Sequence, residues 1–166
     1  MNDVCRMIKK QTITNFSNME TAIKTYDRNA SVCGTPAWRY VYHAIHSADK
    51  WFFNPSKFTE PDFHENGMDN PDNPCNVVLS DTELLDYLHK VRLKTEKYLD
   101  ELSDEELDEK PDGCEYTRLE LILGTSLGTL ASISNSSLVR FVFSVIIFFA
   151  ISKFILNPNG DTPISL

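Results

Sequence analysis

The sequence predicts an all-α fold, a four-helix bundle with a long loop between the second and third helices. Three observations support this prediction. Apolar residues recur at three- and four-residue intervals, which is the period of an amphipathic helix. Two Ser/Thr-x-x-Glu capping boxes mark helix starts, and a Pro- and Asn-rich stretch over residues 55–74 cannot hold a long helix. A chain of 166 residues is sufficient for one core, so we expect a single domain over 1–156 and a flexible tail over 157–166.

Each helix has its own boundary signals. The first is predicted over roughly residues 3–27, and a stretch rich in Asn, Ser and Gly ends it. The second spans Pro36–Phe53, since proline suits the first turn of a helix. The capping box Ser80–Glu83 opens the third helix, which ends at the acidic run over 103–113. The second capping box, Thr117–Glu120, opens the fourth.

Composition excludes several classes of function. The formal charge of -8 and the absence of any Lys/Arg-rich stretch argue against nucleic acid as a partner, because nucleic-acid affinity depends on neutralising phosphates. The four cysteines are scattered, with no CxxC pair, which is typical of a reducing compartment. Charged residues interrupt the N-terminal stretch where a signal peptide would be apolar. We therefore expect a cytoplasmic protein.

The apolar run Phe141–Ser152 bears on membrane association. A membrane-spanning helix needs about 20 apolar residues, and this run has roughly a dozen, so the length disfavours a membrane anchor. Its burial is expected in the bundle, in a dimer interface or at a membrane, because an exposed patch of that size promotes association.

The second helix carries the best candidates for chemistry, two histidines three residues apart. On an ideal helical wheel, His46 sits beside Tyr42 and Asp49 at the margin of the apolar stripe, whereas His43 lies near Arg39. The wheel therefore favours His46 for an inward role. The apolar stripe itself consists of Trp38, Val41, Ile45, Ala48 and Phe52.

The string Trp38-Arg-x-Val41-Tyr42-His43, followed by Asp49 and an aromatic cluster, resembles helix two of the DinB/YfiT-like family. The resemblance covers roughly residues 3–125. It implies a four-helix bundle that forms a homodimer. It also implies a divalent metal, zinc or nickel, bound by one helix-two histidine and an HxxxH pair on helix four. The activity it implies is that of a metal-dependent hydrolase or thiol transferase acting on a small-molecule or thiol substrate.

The helix-two ligand has two candidates. The string match places it at His43, because His43 follows the Trp-Arg-x-Val-Tyr residues directly. The wheel instead points to His46. Because bundle helices curve and roll while the string match fixes the register, we favour His43 as the metal ligand, with His46 as the alternative.

The fourth helix departs from the family, because no histidine follows His89. Neither His89 nor His64 can be transferred to the family's HxxxH pair, since they lie in helix three and in the long loop. The departure predicts impaired activity, or a metal-free protein that acts as a binding or dimerisation module. One hypothesis for the loss is a frameshift after about Gly124, because reading one nucleotide earlier permits histidine at Thr129 and Ile133.

Overall fold

The computed structural model describes residues 3–32 and 34–133, and helices make up most of that part. The four helices are α1 (Asp3–Thr25), α2 (Ala37–Trp51), α3 (Asp81–Glu101) and α4 (Arg118–Ile133). Two short 3-10 helices, Pro55–Lys57 and Glu105–Asp108, lie in the connections. The mainly helical prediction is confirmed, and residues up to Ile133 form one compact unit.

A small β-hairpin joins α1 to α2, and the sequence did not predict it. Strands β1 (Ser31–Val32) and β2 (Thr35–Pro36) pair antiparallel. Gly34 occupies the turn with φ +88°, a conformation that glycine adopts without strain. Strands of two residues are too short to show alternation, which is why periodicity missed them.

The hairpin also shifts the predicted start of α2. Pro36 was expected in the first helical turn, but it lies in β2 with extended backbone, and α2 begins at Ala37. The first free amides of α2 have backbone acceptors: Ala37 N–H donates to the Ala30 carbonyl at 3.0 Å, and Trp38 N–H donates to the Arg28 carbonyl at 3.2 Å. Backbone carbonyls of the segment before α2 therefore accept the hydrogen bonds that a capping side chain would otherwise accept.

Both predicted capping boxes are present. The Ser80 hydroxyl accepts from Glu83 N–H, and the Glu83 carboxylate accepts from Ser80 N–H at 2.7 Å. Thr117 and Glu120 make the same reciprocal bonds at the start of α4. Reciprocal bonding satisfies amides that a helix start leaves free, so these two boundaries follow from local sequence.

Helix α2 packs against α4 and α3, and α1 packs against α3 and α4. Two apolar clusters fill the interior. The larger draws on α1, α2, α3 and the loop, and includes Phe16, Met19, Trp38, Tyr42, Ile45, Met68, Leu84, Leu88 and Val91. The smaller includes Cys5, Phe52, Leu99, Leu102, Leu107 and Ile122. Four of the five predicted stripe residues of α2 are buried, and Val41 is half-buried.

The predicted long loop is confirmed between α2 and α3, with only one single-turn helix inside it. The predicted domain end at residue 156, the tail over 157–166 and the apolar run Phe141–Ser152 lie outside the described residues. Within the described ranges, no helix has the length and apolar character needed to cross a membrane.

Candidate functional site

Helix α2 presents Tyr42 and His46 on one buried face. They are four residues apart, so they lie one turn from each other on the same side of the helix. Tyr42 is fully buried and His46 is 2 % exposed. The prediction that His46 faces inward is therefore confirmed. Their rings lie 5.6 Å apart, centroid to centroid.

The long loop folds back over this face and brings two further polar groups to it. Glu60 and His64 are four residues apart, and a turn closed by His64 N–H donating to the Pro61 carbonyl at 2.8 Å sets the direction of His64. The His64 side chain is 8 % exposed and Glu60 is 42 % exposed. The loop thus adds one buried imidazole and one carboxylate that reaches solvent.

Arg39 holds the far end of the loop against α2. Its buried Nη2 donates to the backbone carbonyls of Met68, Asn70 and Asn73, at distances between 2.8 and 3.3 Å. Backbone carbonyls rather than a carboxylate therefore accept the hydrogen bonds of Nη2, while the buried Nε has no partner among the described residues. Since three carbonyls share one cation, the turn over 68–73 is fixed relative to the helix.

A second anchor lies just beyond His64. The Glu65 carboxylate accepts from Asn76 N–H at 2.8 Å, from Asn76 Nδ2 at 2.8 Å and from Val77 N–H at 3.1 Å. These hydrogen bonds lower the pKa of Glu65 to about 2, because each one favours the charged form. These hydrogen bonds join the middle of the loop to its end, next in sequence to His64.

Three ligand-type atoms converge at the contact between α2 and the loop. His46 Nε2 lies 2.6 Å from Glu60 Oε2, and His64 Nδ1 lies 3.7 Å from the same oxygen. The two imidazole rings are stacked, 4.9 Å between centroids and 18° between planes. One ligand atom from each of the three side chains lies within 4.8 Å of the others. Such a group can hold a metal ion, since His and Glu atoms at this spacing can share one cation.

Burial sets the protonation of the site. Desolvation lowers the pKa of His46, and the hydrogen bond to Glu60 opposes this effect only in part. A neutral imidazole is the form that binds metals. Burial likewise raises the pKa of Tyr42, so its hydroxyl stays protonated. That hydroxyl lies 2.5 Å from His64 Nδ1 and orients the ring in the metal-free protein. Because a neutral ring nitrogen has one lone pair, a metal bound at Nδ1 would displace this hydrogen bond.

A surface cleft of about 400 Å³ opens beside Glu60. Its lining includes Glu60, Asp62, Phe63, Tyr87, Lys90 and Lys94. Two of its charges are already paired, because Lys94 Nζ lies 2.6 Å from Asp49 Oδ1. Glu60 is the residue that this cleft shares with the histidine pair, so the cleft offers solvent access to the group.

His43, the metal ligand implied by the family resemblance, lies outside this group of three side chains. Its Nδ1 lies 2.5 Å from the Asp69 carbonyl oxygen, and it lines a separate cleft between α2 and α4. Within the described residues His43 belongs to no group of three ligating side chains. His89 lies on α3, half exposed, with Nε2 3.8 Å from Glu20 Oε1. The structure therefore does not bring His43 and His46 to one site.

Sequence reasoning missed Glu60 and His64 as site residues. It set His64 aside because a residue of the long loop cannot be transferred to the HxxxH pair that the family carries on helix four. The available signal was the loop's length, because long loops in compact domains are often functional, together with an acid and a histidine spaced four residues apart.

Comparisons with protein families, with curated proteins and with solved structures find no match to this chain. The resemblance to the DinB/YfiT-like family is neither supported nor opposed by them.

Proposed function

We propose that this protein binds one divalent metal through His46, Glu60 and His64 and uses it as a metal-dependent hydrolase or thiol transferase. The observation that carries the proposal is the convergence of the three ligand atoms within 4.8 Å of one another. No other group of this kind occurs in the described ranges.

The donor set suits the metals that the sequence suggested. Two imidazoles and one carboxylate are typical ligands of zinc, and imidazole also suits nickel. Three protein ligands leave a fourth position open, which is characteristic of catalytic rather than structural zinc sites. Bound there, the metal would act as a Lewis acid that lowers the pKa of water or a thiol.

The residues of the chain have distinct roles in this proposal. Burial of His46 keeps its imidazole neutral, and Tyr42 orients the ring of His64 before the metal binds. Glu60 lies at the boundary between the buried histidines and the 400 Å³ cleft. A small substrate in that cleft would approach the site from the Glu60 side, where solvent already reaches.

The proposed fold is a four-helix bundle similar to the DinB/YfiT-like family, and dimerisation as a homodimer is part of that proposal. The packing order supports a bundle, since α2 and α1 each contact both α3 and α4. The ligand set differs from the one the family implies, because His46 replaces His43 and the loop supplies the other ligands. An activity of this chain would therefore depend on the loop rather than on helix four.

The test is metal analysis of the purified full-length protein and matched variants. We expect about one zinc or nickel ion per chain after reconstitution. Glu60→Gln keeps the shape of a half-exposed side chain and should lower the metal content strongly, as should His46→Ala. His43→Ala serves as the matched control and should retain the metal.

Two outcomes would overturn the proposal. Loss of metal in His43→Ala but not in Glu60→Gln would place the metal at the site implied by the family and overturn the proposal. A protein that binds no metal after reconstitution would also overturn it, and would favour the metal-free binding or dimerisation module. Circular dichroism of each variant confirms that a lost metal does not reflect a lost fold.

A further inference from the structure

A second cleft, about 370 Å³ in volume, lies between α2 and α4 and is independent of the proposed metal site. Its volume falls within the range of small-molecule sites. Polar side chains, aromatic rings, one leucine and one glycine line it. They include His43, Ser47, Trp51, Tyr116, Glu120 and Gly124.

The hydrogen bond to Asp69 fixes the tautomer of His43. The Asp69 carbonyl oxygen can only accept, so the Nδ1 that lies 2.5 Å from it must carry the proton. In the neutral ring this leaves Nε2 as an acceptor with a free lone pair. No hydrogen bond to that Nε2 is formed in the described part of the chain. The cleft therefore contains an imidazole that can accept a hydrogen bond from a ligand.

Glu120 adds a fixed negative charge to the lining. Hydrogen bonds from Thr117 hold its carboxylate, and together with a smaller effect of Lys110 they lower the pKa of Glu120. These bonds use Oε2, and Oε1 has no hydrogen-bond donor among the described residues. One carboxylate oxygen is thus free to accept from a ligand.

The two aromatic residues are unusually exposed for their size. Trp51 is 43 % exposed and Tyr116 is 52 % exposed, and both line the same cleft. Aromatic faces attract cations through the ring quadrupole. No Lys or Arg belongs to the described lining, and the whole chain carries a formal charge of -8. Both the local and the overall electrostatics favour a positively charged ligand.

We infer that this cleft binds an organic ammonium ion, with the charged nitrogen between Glu120, His43 and the two aromatic rings. The ammonium N–H groups would donate to Glu120 Oε1 and to His43 Nε2, while its alkyl part lies against Trp51 and Tyr116. An anionic ligand is disfavoured by Glu120 and by the lack of a cationic side chain in the lining. A metal is disfavoured because the described lining offers one imidazole and one carboxylate only.

The experiment compares butylammonium with butanol, its neutral analogue, by nuclear magnetic resonance on the full-length protein. The indole N–H of Trp51 reports on the cleft. Trp38, which is 5 % exposed, is the internal reference. Butylammonium should shift the Trp51 signal saturably and leave Trp38 unchanged, and butanol should shift neither. Equal binding of butanol, or no saturable shift with butylammonium, overturns the inference.

Two substitutions test the chemistry and the location. Glu120→Gln removes the charge but keeps the capping box, which accepts glutamine at this position. It should weaken butylammonium binding by about threefold to fivefold, the effect of one exposed charge. Unchanged affinity in this variant overturns the inference.

Gly124→Leu adds a bulky side chain to the cleft, since a Cβ on Gly124 meets no atom of the described residues within 4 Å, and leucine favours a helix over glycine. It should abolish the Trp51 shift. Gly124→Ala adds little volume and should retain most of the Trp51 shift. Full binding by the leucine variant, shown to be folded by circular dichroism, would place the ligand elsewhere and overturn the inference.

Discussion

The phenolic oxygen of Tyr42 lies 2.5 Å from Nδ1 of His64. This contact joins the most buried face of α2 to the loop that supplies two of the three candidate ligands. The His64 side chain is 8 % exposed, so water cannot readily replace the hydroxyl. The orientation of the loop histidine therefore depends on one phenol in the core.

Replacing Tyr42 by phenylalanine should destabilise the protein through this contact. The substitution keeps the ring and leaves His64 Nδ1 without its partner, which costs about 1–2 kcal/mol for a buried polar group. Urea unfolding should show this decrease in the free energy of unfolding. Tyr116→Phe is the matched control, because its exposed hydroxyl makes no hydrogen bond within the described residues, and it should be nearly neutral. Equal effects of the two substitutions would show that the Tyr42 contact contributes nothing.

The Glu65 anchor predicts how stability depends on pH. The pKa of Glu65 falls from 4.5 to about 2 on folding, so the carboxylate stabilises the fold above about pH 4.5. That contribution is lost progressively as the pH falls from about 4.5 through about 2. Glu65→Gln should therefore lower the free energy of unfolding at neutral pH. It should also reduce the loss of that free energy between about pH 4.5 and pH 2, which we call the acid limb.

A series of urea titrations at decreasing pH checks this dependence. Asp62→Asn is the matched control, since it removes a negative charge from the same loop and Asp62 accepts no hydrogen bond within the described residues. Its acid limb should follow that of the unmodified protein. An unchanged acid limb in Glu65→Gln would mean that the hydrogen bonds of the Glu65 carboxylate do not stabilise the protein in solution.

The helices were predictable because their signals are local. Ser80 with Glu83, and Thr117 with Glu120, bond within one turn, so a four-residue pattern is sufficient to identify each start. The start of α2 was displaced because its free amides bond to the backbone carbonyls of Arg28 and Ala30, which lie just before the hairpin. No side-chain pattern records such a backbone interaction.

Only one of the three candidate ligands, His46, could be predicted, and the reason is related. The position of His46 follows from helix period, which depends on neighbours in sequence. The positions of Glu60 and His64 depend on how the loop returns to α2, and Arg39 fixes that return through carbonyl groups. Every residue type has a carbonyl group, so these contacts leave no trace in the sequence.

The capping box of α3 predicts a measurable local contribution. Ser80→Ala removes the hydroxyl that accepts from Glu83 N–H and should lower the free energy of unfolding by about 1 kcal/mol. Thr82→Ala is a suitable control, because Thr82 is exposed in the same turn and its hydroxyl makes no hydrogen bond in the described part of the chain. Thermal unfolding of both variants checks the difference, and a Ser80→Ala protein as stable as Thr82→Ala would contradict it.

The proposed metal site predicts a ligand-dependent stability. A metal that binds only the folded state, at about a hundred times its dissociation constant, stabilises by about 2.7 kcal/mol. Zinc should therefore raise the midpoint of thermal unfolding of the unmodified protein. Glu60→Gln should remove most of this increase, because the carboxylate lies 2.6 Å from His46 Nε2 and supplies one of the three ligands. Asp62→Asn, which removes an equal charge two residues away, should retain the increase in full. An equal response of the two variants would show that zinc acts through general surface binding and not through the three convergent side chains.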